Sequence, residues 1–424
     1  MPEKPLTARI RPDGTPVGLK EYERTGGYQA LRKALQMQPA EVIEAVKASN
    51  LRGRGGAGFS TGQKWSFIPT GEGAPRPRYV LCNGDEMEPG TFKDRLLLEG
   101  DPHGVIEGMI IASYAVEAET AYIFLRREYP ESASALTKAL TEARQAGYLG
   151  KNILGSGFNL DMHLHLSAGR YMCGEETGLI DSLEGKRANP RDKPPFPAVV
   201  GLWGKPTIVN NVETLANVPH IINNGADWFR SLSRTKDGGT KLFGVSGRVK
   251  KPGLWELPMG ITFRELLEEH AGGMQEGYKF RGLLPGGAST DYLVEEHLDT
   301  PVDFDSLQQH GSRMGTGTAI VLDDKKCPVA MQLNLQHFFA QESCGWCTPC
   351  WGGLQWVERI LYAMEAGEGQ PGDIEILEMH TKRLRPGHTF CALAPGAMEP
   401  LQSGLIHFRG DFEEHIRDKR CRWK

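Results

Sequence analysis

The 424-residue sequence lacks any uncharged apolar run long enough to cross a membrane. Its longest, GVIEGMIIASYAVEAETAYIFL, is interrupted by Glu107, Glu117 and Glu119, short of the roughly 18 consecutive apolar residues a span needs. Excess charge is missing too. The 49 basic and 53 acidic residues nearly cancel, which excludes the basic footprint of a nucleic-acid binder and any strong attraction to an anionic membrane. Tandem repeats and low-complexity tracts are absent. The opening MPEKPLTARI carries an early acid and no apolar signal core, so neither secretory nor organellar targeting is expected. Cysteine is sparse at eight residues, three of them clustered, which points to a reducing compartment and a metal rather than disulfides. The expectation is a cytoplasmic protein of bacterial type, with two or three domains and a substantial core.

Glycine, by contrast, is abundant and concentrated in LRGRGGAGFSTGQKW, residues 51–65. Gly53, Gly55 and Gly58 match the letters of a dinucleotide fingerprint, but that motif follows a strand. Here the preceding PAEVIEAVKASN has a helical pattern, with Pro39 in its first turn and Val42, Ile43 and Val46 on one face. A P-loop fails as well, because Lys64 is followed by Trp65 and not by a magnesium-holding Ser or Thr. The loop reads as a phosphate cradle of neither common kind.

Downstream, the strand-like RYVLC (78–82), AYIFL (121–125) and LDMHLHL (160–166) alternate with the helical patterns PHGVIEGMIIASYAV and ESASALTKALTEARQAG. This β-α-β-α-β order predicts a parallel sheet covered by helices, with functional loops after Cys82 and Leu166 at its carboxyl edge. From Lys241 to Leu322, short strands and Gly/Pro turns surround one helix, TFRELLEEHAGG, as in a small α+β domain. From about Val329 the pattern is helical. Leu354, Val357, Leu361 and Met364 form one stripe; Asp373 is the expected N-cap of a helix that turns Ile374, Leu377 and Leu384 inward; Leu401, Leu405 and Phe408 repeat the spacing.

ESCGWCTPCWGG sets Cys344, Cys347 and Cys350 at C-x-x-C-x-x-C, and Cys391 in HTFCALAPG is a fourth candidate. Three thiolates so spaced wrap three corners of an iron–sulfur cubane, and a remote cysteine closes it. Structural zinc prefers paired knuckles, which this triple is not. Cys350 also opens an expected helix, whose N-terminal dipole suits an anionic cluster. Cys82, Cys173, Cys327 and Cys421 are expected to be packing or incidental residues. His163 and His165, alternating with Asp161, are expected on an exposed strand face.

CNGDEMEPGTFKDR crowds Asn83, Asp85, Glu86 and Glu88 into the loop after the first strand, where parallel sheets hold ligands. Gly174-Glu175-Glu176-Thr177 reads equally well as a capped helix start or as a second binding loop. Both loops would converge with the glycine loop on one crevice. Carboxylates there suit ribose hydroxyls and the edge of a flavin or nicotinamide, and repel a ribose 2′-phosphate. Lys193 and Phe196 stand in a proline-stiffened stretch ahead of Asn210, Asn211 and Thr214. Such an aromatic can stack on a planar ring and such amides can hydrogen-bond one, although phenylalanine more often fills a core.

Taken together, GRGGAGFSTGQKW, CNGDEMEPGTFKDR, YMCGEET, KPPFP, GLWGKPTIVNNVET and ESCGWCTPC with the later TFC resemble the NADH-binding flavoprotein subunit of bacterial respiratory complex I, the NADH:quinone oxidoreductase. The resemblance runs in order over nearly the whole chain. It implies an α/β multidomain fold: a Rossmann-like FMN and NADH domain with an N-terminal extension over 1–238, a ubiquitin-like β-grasp domain over 239–327, and a four-helix bundle ligating a [4Fe–4S] cluster over 328–424. Backbone N–H groups from Gly53 through Ala57 to Gly58 would approach phosphates and flavin. Arg54, Gly55, Gly56, Lys64, Asn83, Asp85, Tyr171, Gly174, Glu175, Asn210, Asn211 and Thr214 would hold FMN. Phe59, Phe67, Glu86, Glu88, Glu176, Lys193 and Phe196 would line the NADH side, with Glu86, Glu88 and Glu176 positioning the nucleotide. Cys344, Cys347, Cys350 and Cys391 would ligate the cluster.

No side chain would act as acid or base, since the cofactors carry the chemistry. The resemblance also implies electron delivery from NADH through FMN and the cluster to partner subunits. Among these would be a thioredoxin-like [2Fe–2S] subunit and a large multi-cluster iron–sulfur subunit, at the cytoplasmic face of the inner membrane and without insertion into it. The alternative is the diaphorase subunit of a soluble NAD-linked hydrogenase or formate dehydrogenase, which shares this core. A non-enzymatic, zinc-stabilised scaffold is a rival of another class.

Overall fold

The computed structural model describes residues 3–424. A first sheet holds four parallel strands, β1 (Tyr79–Gly84), β2 (Thr120–Leu125), β3 (Asp161–Leu166) and β4 (Thr207–Asn211), in the order β3-β2-β1-β4. The first three are those the sequence pattern predicts. The fourth, TIVNN, is an addition: it is short and ends in two asparagines, so apolar periodicity does not mark it.

Side chains alternate between the two faces of this sheet, as the pleat requires. Val80, Cys82, Ala121, Ile123 and Ile208 enter a large core shared with the helices. Tyr79, Leu81, Phe124 and Val209 face a smaller one with Cys173, Leu179, Ile180 and Leu202. Burial on both sides is what a parallel sheet needs, and Cys82 and Cys173 are packing residues within it. Edge strand β3 leaves Asp161 and His163 exposed, as expected, while half-buried His165 stacks on Phe124 with ring centres 5.3 Å apart.

Helix Pro102–Ala115 is buried on every side except at Tyr114. Glu107 lies within it, and its carboxylate accepts from the backbone N–H groups of Tyr28 and Leu31, both at 2.9 Å, and from the Tyr22 hydroxyl. Burial pushes this carboxyl up, and those hydrogen bonds oppose the push. An unpaired carboxylate at that depth would be prohibitive, so Glu107 fastens the N-terminal segment onto the helix. Helix Pro39–Ala48 forms where expected and buries Val42, Ile43 and Val46. Helix Pro130–Gln145 turns Ala135, Leu136, Ala139, Leu140 and Ala143 inward.

The second sheet is mixed, with β5 (Thr240–Ser246), β6 (Gly253–Pro258), β7 (Phe280–Leu284) and β8 (Thr318–Asp323) in the order β6-β5-β8-β7. Strands β5 and β8 pair in parallel at the centre, and β6 and β7 flank them antiparallel. The helix expected between β6 and β7 divides into an α-turn, Phe263–Glu265, and a π-helical turn, Leu266–His270. A Thr262–Glu265 capping box starts it. Phe263, Leu266 and Leu267 pack with Phe243, Val245 and Leu283.

Five helices follow, Pro328–Glu342, Thr348–Ala366, Asp373–Arg383, Leu393–His407 and Arg409–Asp418. Their shared core contains Leu354, Val357, Leu361, Met364, Ile374, Leu377, Leu384, Leu401, Leu405 and Phe408, the residues the helical spacing turns inward. One cap differs from expectation. Gly372 is the N-cap, and Asp373, the first helical residue, accepts from the Gln370 N–H at 2.7 Å, bracing the turn instead. Among the described residues no helix is long and apolar enough to cross a membrane.

Candidate functional site

Strand β1 sits between β2 and β4, so the crossovers leave it in opposite directions and open a crevice beyond its carboxyl end. The glycine loop lies over that crevice, and two adjoining cavities form there. The larger, about 900 Å³, is lined by Gly53, Gly55, Ala57, Gly58, Phe59, Lys64, Phe67, Asn83, Glu175, Glu176, Lys193, Phe196, Asn210, Asn211 and Thr214. The smaller, about 270 Å³, is lined by Gly55, Gly56, Ala57, Asn83, Asp85, Glu86, Glu88, Tyr171, Gly174, Glu175, Asn211 and Cys391, among others. Gly55, Ala57, Asn83, Glu175 and Asn211 belong to both walls. The two acidic loops and the glycine loop therefore do converge.

Arg54 is the exception. Its backbone N–H donates to Thr214 Oγ1 at 2.8 Å, but its buried guanidinium turns away to the carbonyls of Gly238 (2.7 Å) and Thr240 (3.2 Å). Neither cavity contains that side chain. The resemblance places Arg54 among the residues that hold FMN, whereas its side chain locks the loop to β5. The glycines themselves have steric reasons. Gly58 adopts φ +67°, and a Cβ there would meet the Phe304 ring at 2.2 Å; a Cβ on Gly55 would stand 3.2 Å from Asn211.

At the mouth of the larger cleft, Lys64 Nζ donates to Glu176 at 2.7 Å and to the Val209 carbonyl at 2.8 Å. Lys193 Nζ bridges Glu175 and Glu176, 2.9 Å from each. Burial alone would raise the Glu176 pKa, but Lys64 and Lys193 outweigh it and hold it down at about 2. Glu175 also accepts from the N–H groups of Thr177 (2.7 Å) and Gly178 (3.0 Å), capping helix Glu176–Leu183. The Gly-Glu-Glu-Thr stretch therefore starts a capped helix through Glu175, while Glu176 lines the cleft. Phe59, Phe67 and Phe196 remain 49%, 50% and 57% exposed, so none of them is core filler, and all three line the cleft.

In the smaller chamber, Asp85 Oδ1 accepts from the Ser167 hydroxyl at 2.6 Å, while Oδ2 is buried without a partner. Burial pushes this carboxyl up to about 7, against the Ser167 hydrogen bond. Glu86 and Glu88, expected to position a nucleotide, are already engaged. Glu86 accepts from the N–H groups of Lys93 and Asp94 at 2.9 Å and from the Tyr129 hydroxyl at 3.1 Å, capping helix Lys93–Gly100. Glu88 accepts from the Ser289 N–H and hydroxyl at 2.7 Å and from the Tyr171 hydroxyl at 2.5 Å. Both line the small chamber and not the larger cleft, so they brace its wall.

Sequence reasoning missed Lys93. Its ammonium sits 2.7 Å from Asp94 and 2.8 Å from Glu213, fully buried at the chamber wall. Burial opposes its charge, but Asp94 and Glu213 more than compensate and raise its pKa. Its location within TFKDR, beside the acidic loop, was the available signal. Ser289 and Arg313, which also line the chamber, come from a distant part of the chain and carry no local sign.

Cys347 is the N-cap of helix Thr348–Ala366 and Cys350 lies in its first turn. Burial pushes Cys350 up to about 12 and Cys391 up to about 11, and the neighbouring thiols of the set add to both. The four do not form a single-ion nest, because the donor set within 4.8 Å found among the described residues lies elsewhere. Cys327 and Cys421, expected as packing or incidental residues, are instead brought together with Glu365 and His415, their donor atoms within 4.8 Å of one another.

The family model described as the Nuo51 FMN-binding domain matches residues 46–220, and that of the NADH-ubiquinone oxidoreductase-F iron-sulfur binding region matches 330–415. An SLBB domain model matches 242–291. The NADH-quinone oxidoreductase F subunit of Escherichia coli (strain K12) is 58% identical over 414 residues, covering 97% of this chain and 93% of the relative. The chain belongs to the family of NADH-quinone oxidoreductase F subunits. Another member, from Streptomyces coelicolor, is 48% identical over 403 residues, covering 95% of this chain and 89% of its own. Among solved structures, a chain in the crystal structure of the NAD+-reducing [NiFe]-hydrogenase in the H2-reduced state superposes with a TM-score of 0.83 at 36% identity, covering 95% of this chain and 67% of that one. The cavity-lining glycines and acids named from sequence all fall inside the FMN-binding match, and the four clustered-set cysteines inside the iron–sulfur match.

Proposed function

We propose that the chain is the electron-input subunit of a respiratory NADH:quinone oxidoreductase, which transfers a hydride from NADH to FMN and then passes electrons singly through a [4Fe–4S] cluster to partner subunits. The observation that carries this reading is that Cys391 lines the same small chamber as the glycine loop and Asp85, so a flavin site and a cluster ligand share a wall. When bound, FMN supplies the hydride acceptor and the conversion from two-electron to one-electron transfer.

The chain's own residues bind and orient. The unpartnered Asp85 Oδ2 offers an acceptor to a flavin donor group, and the side-chain-poor loop from Gly53 to Gly58 offers backbone N–H groups. Asn83, Tyr171, Gly174, Glu175 and Asn211 complete the FMN walls in the smaller chamber and Lys64, Asn210 and Thr214 extend them into the larger cleft, while Arg54 anchors the glycine loop from outside both cavities. NADH occupies the remainder of the larger cleft, whose volume lies in the range of ordinary ligand sites. Phe59, Phe67 and Phe196 supply stacking faces, and Lys193-bridged Glu176 faces the ribose hydroxyls. Glu86 and Glu88 act by bracing the loop.

We divide the chain into a Rossmann-like unit over 1–238, a β-grasp unit over 239–327 and a four-helix bundle over 328–424 extended by helix Arg409–Asp418; the central parallel pair β5–β8 supports the second, and the bundle's core also takes in Met172, Leu284, Ala288, Tyr292 and Leu322 from the other two. Exposed Trp346, Trp351 and Phe390 beside the cysteines suit docking of a thioredoxin-like [2Fe–2S] subunit or a large multi-cluster subunit, at the cytoplasmic face of the inner membrane. The hydrogenase likeness favours a second reading, a soluble diaphorase, but at 36% against 58% identity. Protein purified anaerobically should carry one FMN and about four irons and reduce ferricyanide with NADH. A colourless zinc protein inert to NADH would overturn both readings.

A further inference from the structure

We infer that Cys327, Glu365, His415 and Cys421 form a second metal centre, a closed tetrahedral zinc(II) site that pins the C-terminal tail to the helical bundle. It is independent of the flavin reading and of the Cys344 set.

The four residues are buried, and their donor atoms all lie within 4.8 Å of one another. Cys327 Sγ is 3.0 Å from Glu365 Oε1 and 3.4 Å from His415 Nε2, and those two atoms are 3.0 Å apart. A tetrahedron with metal–ligand legs of about 2.0–2.3 Å has edges of about 3.3–3.8 Å, so a few tenths of an ångström of expansion among these three atoms, with Cys421 Sγ closing in from within 4.8 Å, admit the ion. The donor set decides its kind. Two thiolates and an imidazole exclude magnesium and calcium, and with one carboxylate they suit zinc.

The surroundings match a ligand shell. His415 Nδ1 is 2.6 Å from the Asp411 carbonyl, which fixes the proton on Nδ1 and leaves the Nε2 lone pair facing the cluster. Cys327 is the N-cap of helix Pro328–Glu342 and accepts from the Ala330 N–H at 3.3 Å, which fixes the position of its sulfur at the helix start. Two thiolates and a carboxylate exceed the charge of Zn²⁺ by one, and Lys424 Nζ stands 2.9 Å from the outer Glu365 oxygen to balance it. The ligands come from the start of one helix, the end of a second, a third helix and the tail beyond it. One ion therefore joins four segments that are far apart in sequence, which is why no local spacing announced it.

Elemental analysis of the purified full-length holoprotein, supplied with zinc during expression, tests this directly. About one zinc per chain is expected in addition to the cluster's iron, falling below about 0.2 in His415→Ala and Cys421→Ser with iron and FMN unchanged. Absence of zinc from the parent protein, or its retention by both variants, would overturn the proposal. Should the variants fail to fold, mass mapping of alkylated parent protein decides. Metal-dependent protection of Cys327 and Cys421, lifted by a chelator, supports the site; recovery of the two as a disulfide, or as thiols alkylated equally with and without chelator, overturns it.

Discussion

Lys64 donates to Glu176 at 2.7 Å across the mouth of the larger cleft. With Lys193 on the other carboxylate oxygen, the pair keeps Glu176 ionised throughout the working pH range, where it can accept from a ribose diol and repel a 2′-phosphate. Removing the carboxylate would also free two ammonium groups to attract that phosphate.

Glu176→Ala should therefore raise kcat/KM for NADPH relative to NADH by about tenfold or more, about 1.4 kcal/mol in discrimination. Steady-state rates with ferricyanide as acceptor measure it. An unchanged ratio would remove Glu176 from nucleotide selection.

FMN binding should depend on pH through Asp85. Its free-protein pKa of about 7 means the carboxyl is largely protonated below neutrality, whereas a flavin group donating to Oδ2 favours the carboxylate and lowers that pKa. Binding then releases a proton, so affinity should rise with pH up to about 7 and level off above it. Titrations of flavin-depleted protein between pH 5.5 and about 8 should show this slope, and Asp85→Asn should flatten it. The phosphate's own titration is common to both proteins and cancels in the comparison, so parallel profiles would refute the contact.

Glu107→Ala should strand the buried N–H groups of Tyr28 and Leu31 together with the Tyr22 hydroxyl. A loss of about 3 kcal/mol is expected, visible as a lower thermal midpoint and as faster proteolysis at the N-terminal segment. A midpoint within a degree of the parent's would show that water satisfies those groups.

Gly58→Ala should destabilise the loop twice over, through its left-handed backbone and through the Phe304 ring. FMN retention after gel filtration should fall markedly while the iron content holds. Full retention of FMN would mean the loop tolerates displacement and the cradle is not set by that glycine.

Sequence and structure agree where a signal is local. The apolar runs of β1 and β2, the alternation of β3 and the stripe from Leu354 to Met364 each carry their own pattern. Where partners are distant, the pattern is silent. Glu107 interrupts an apolar run in sequence, yet its meaning lies in Tyr22, Tyr28 and Leu31. Glu86 and Glu88 look like free acids until the N-terminus of helix Lys93–Gly100 and Ser289 are seen to occupy them. Arg54 shows that neighbours in a loop can face opposite ways. Cys327 and Cys421 looked isolated because Glu365 and His415, which complete their set, are assigned to it only by the packing of three helices and a tail.

The most direct test concerns the shared wall at Cys391: anaerobic addition of NADH to the purified protein, followed by visible and EPR spectroscopy in the parent and in Cys391→Ser. The expected result is flavin bleaching in both, with a reduced-cluster EPR signal in the parent that is lost or altered in the variant. A parent that bleaches without any cluster signal, or a variant whose signal is identical, would contradict the placement of a flavin beside a cluster held by Cys391.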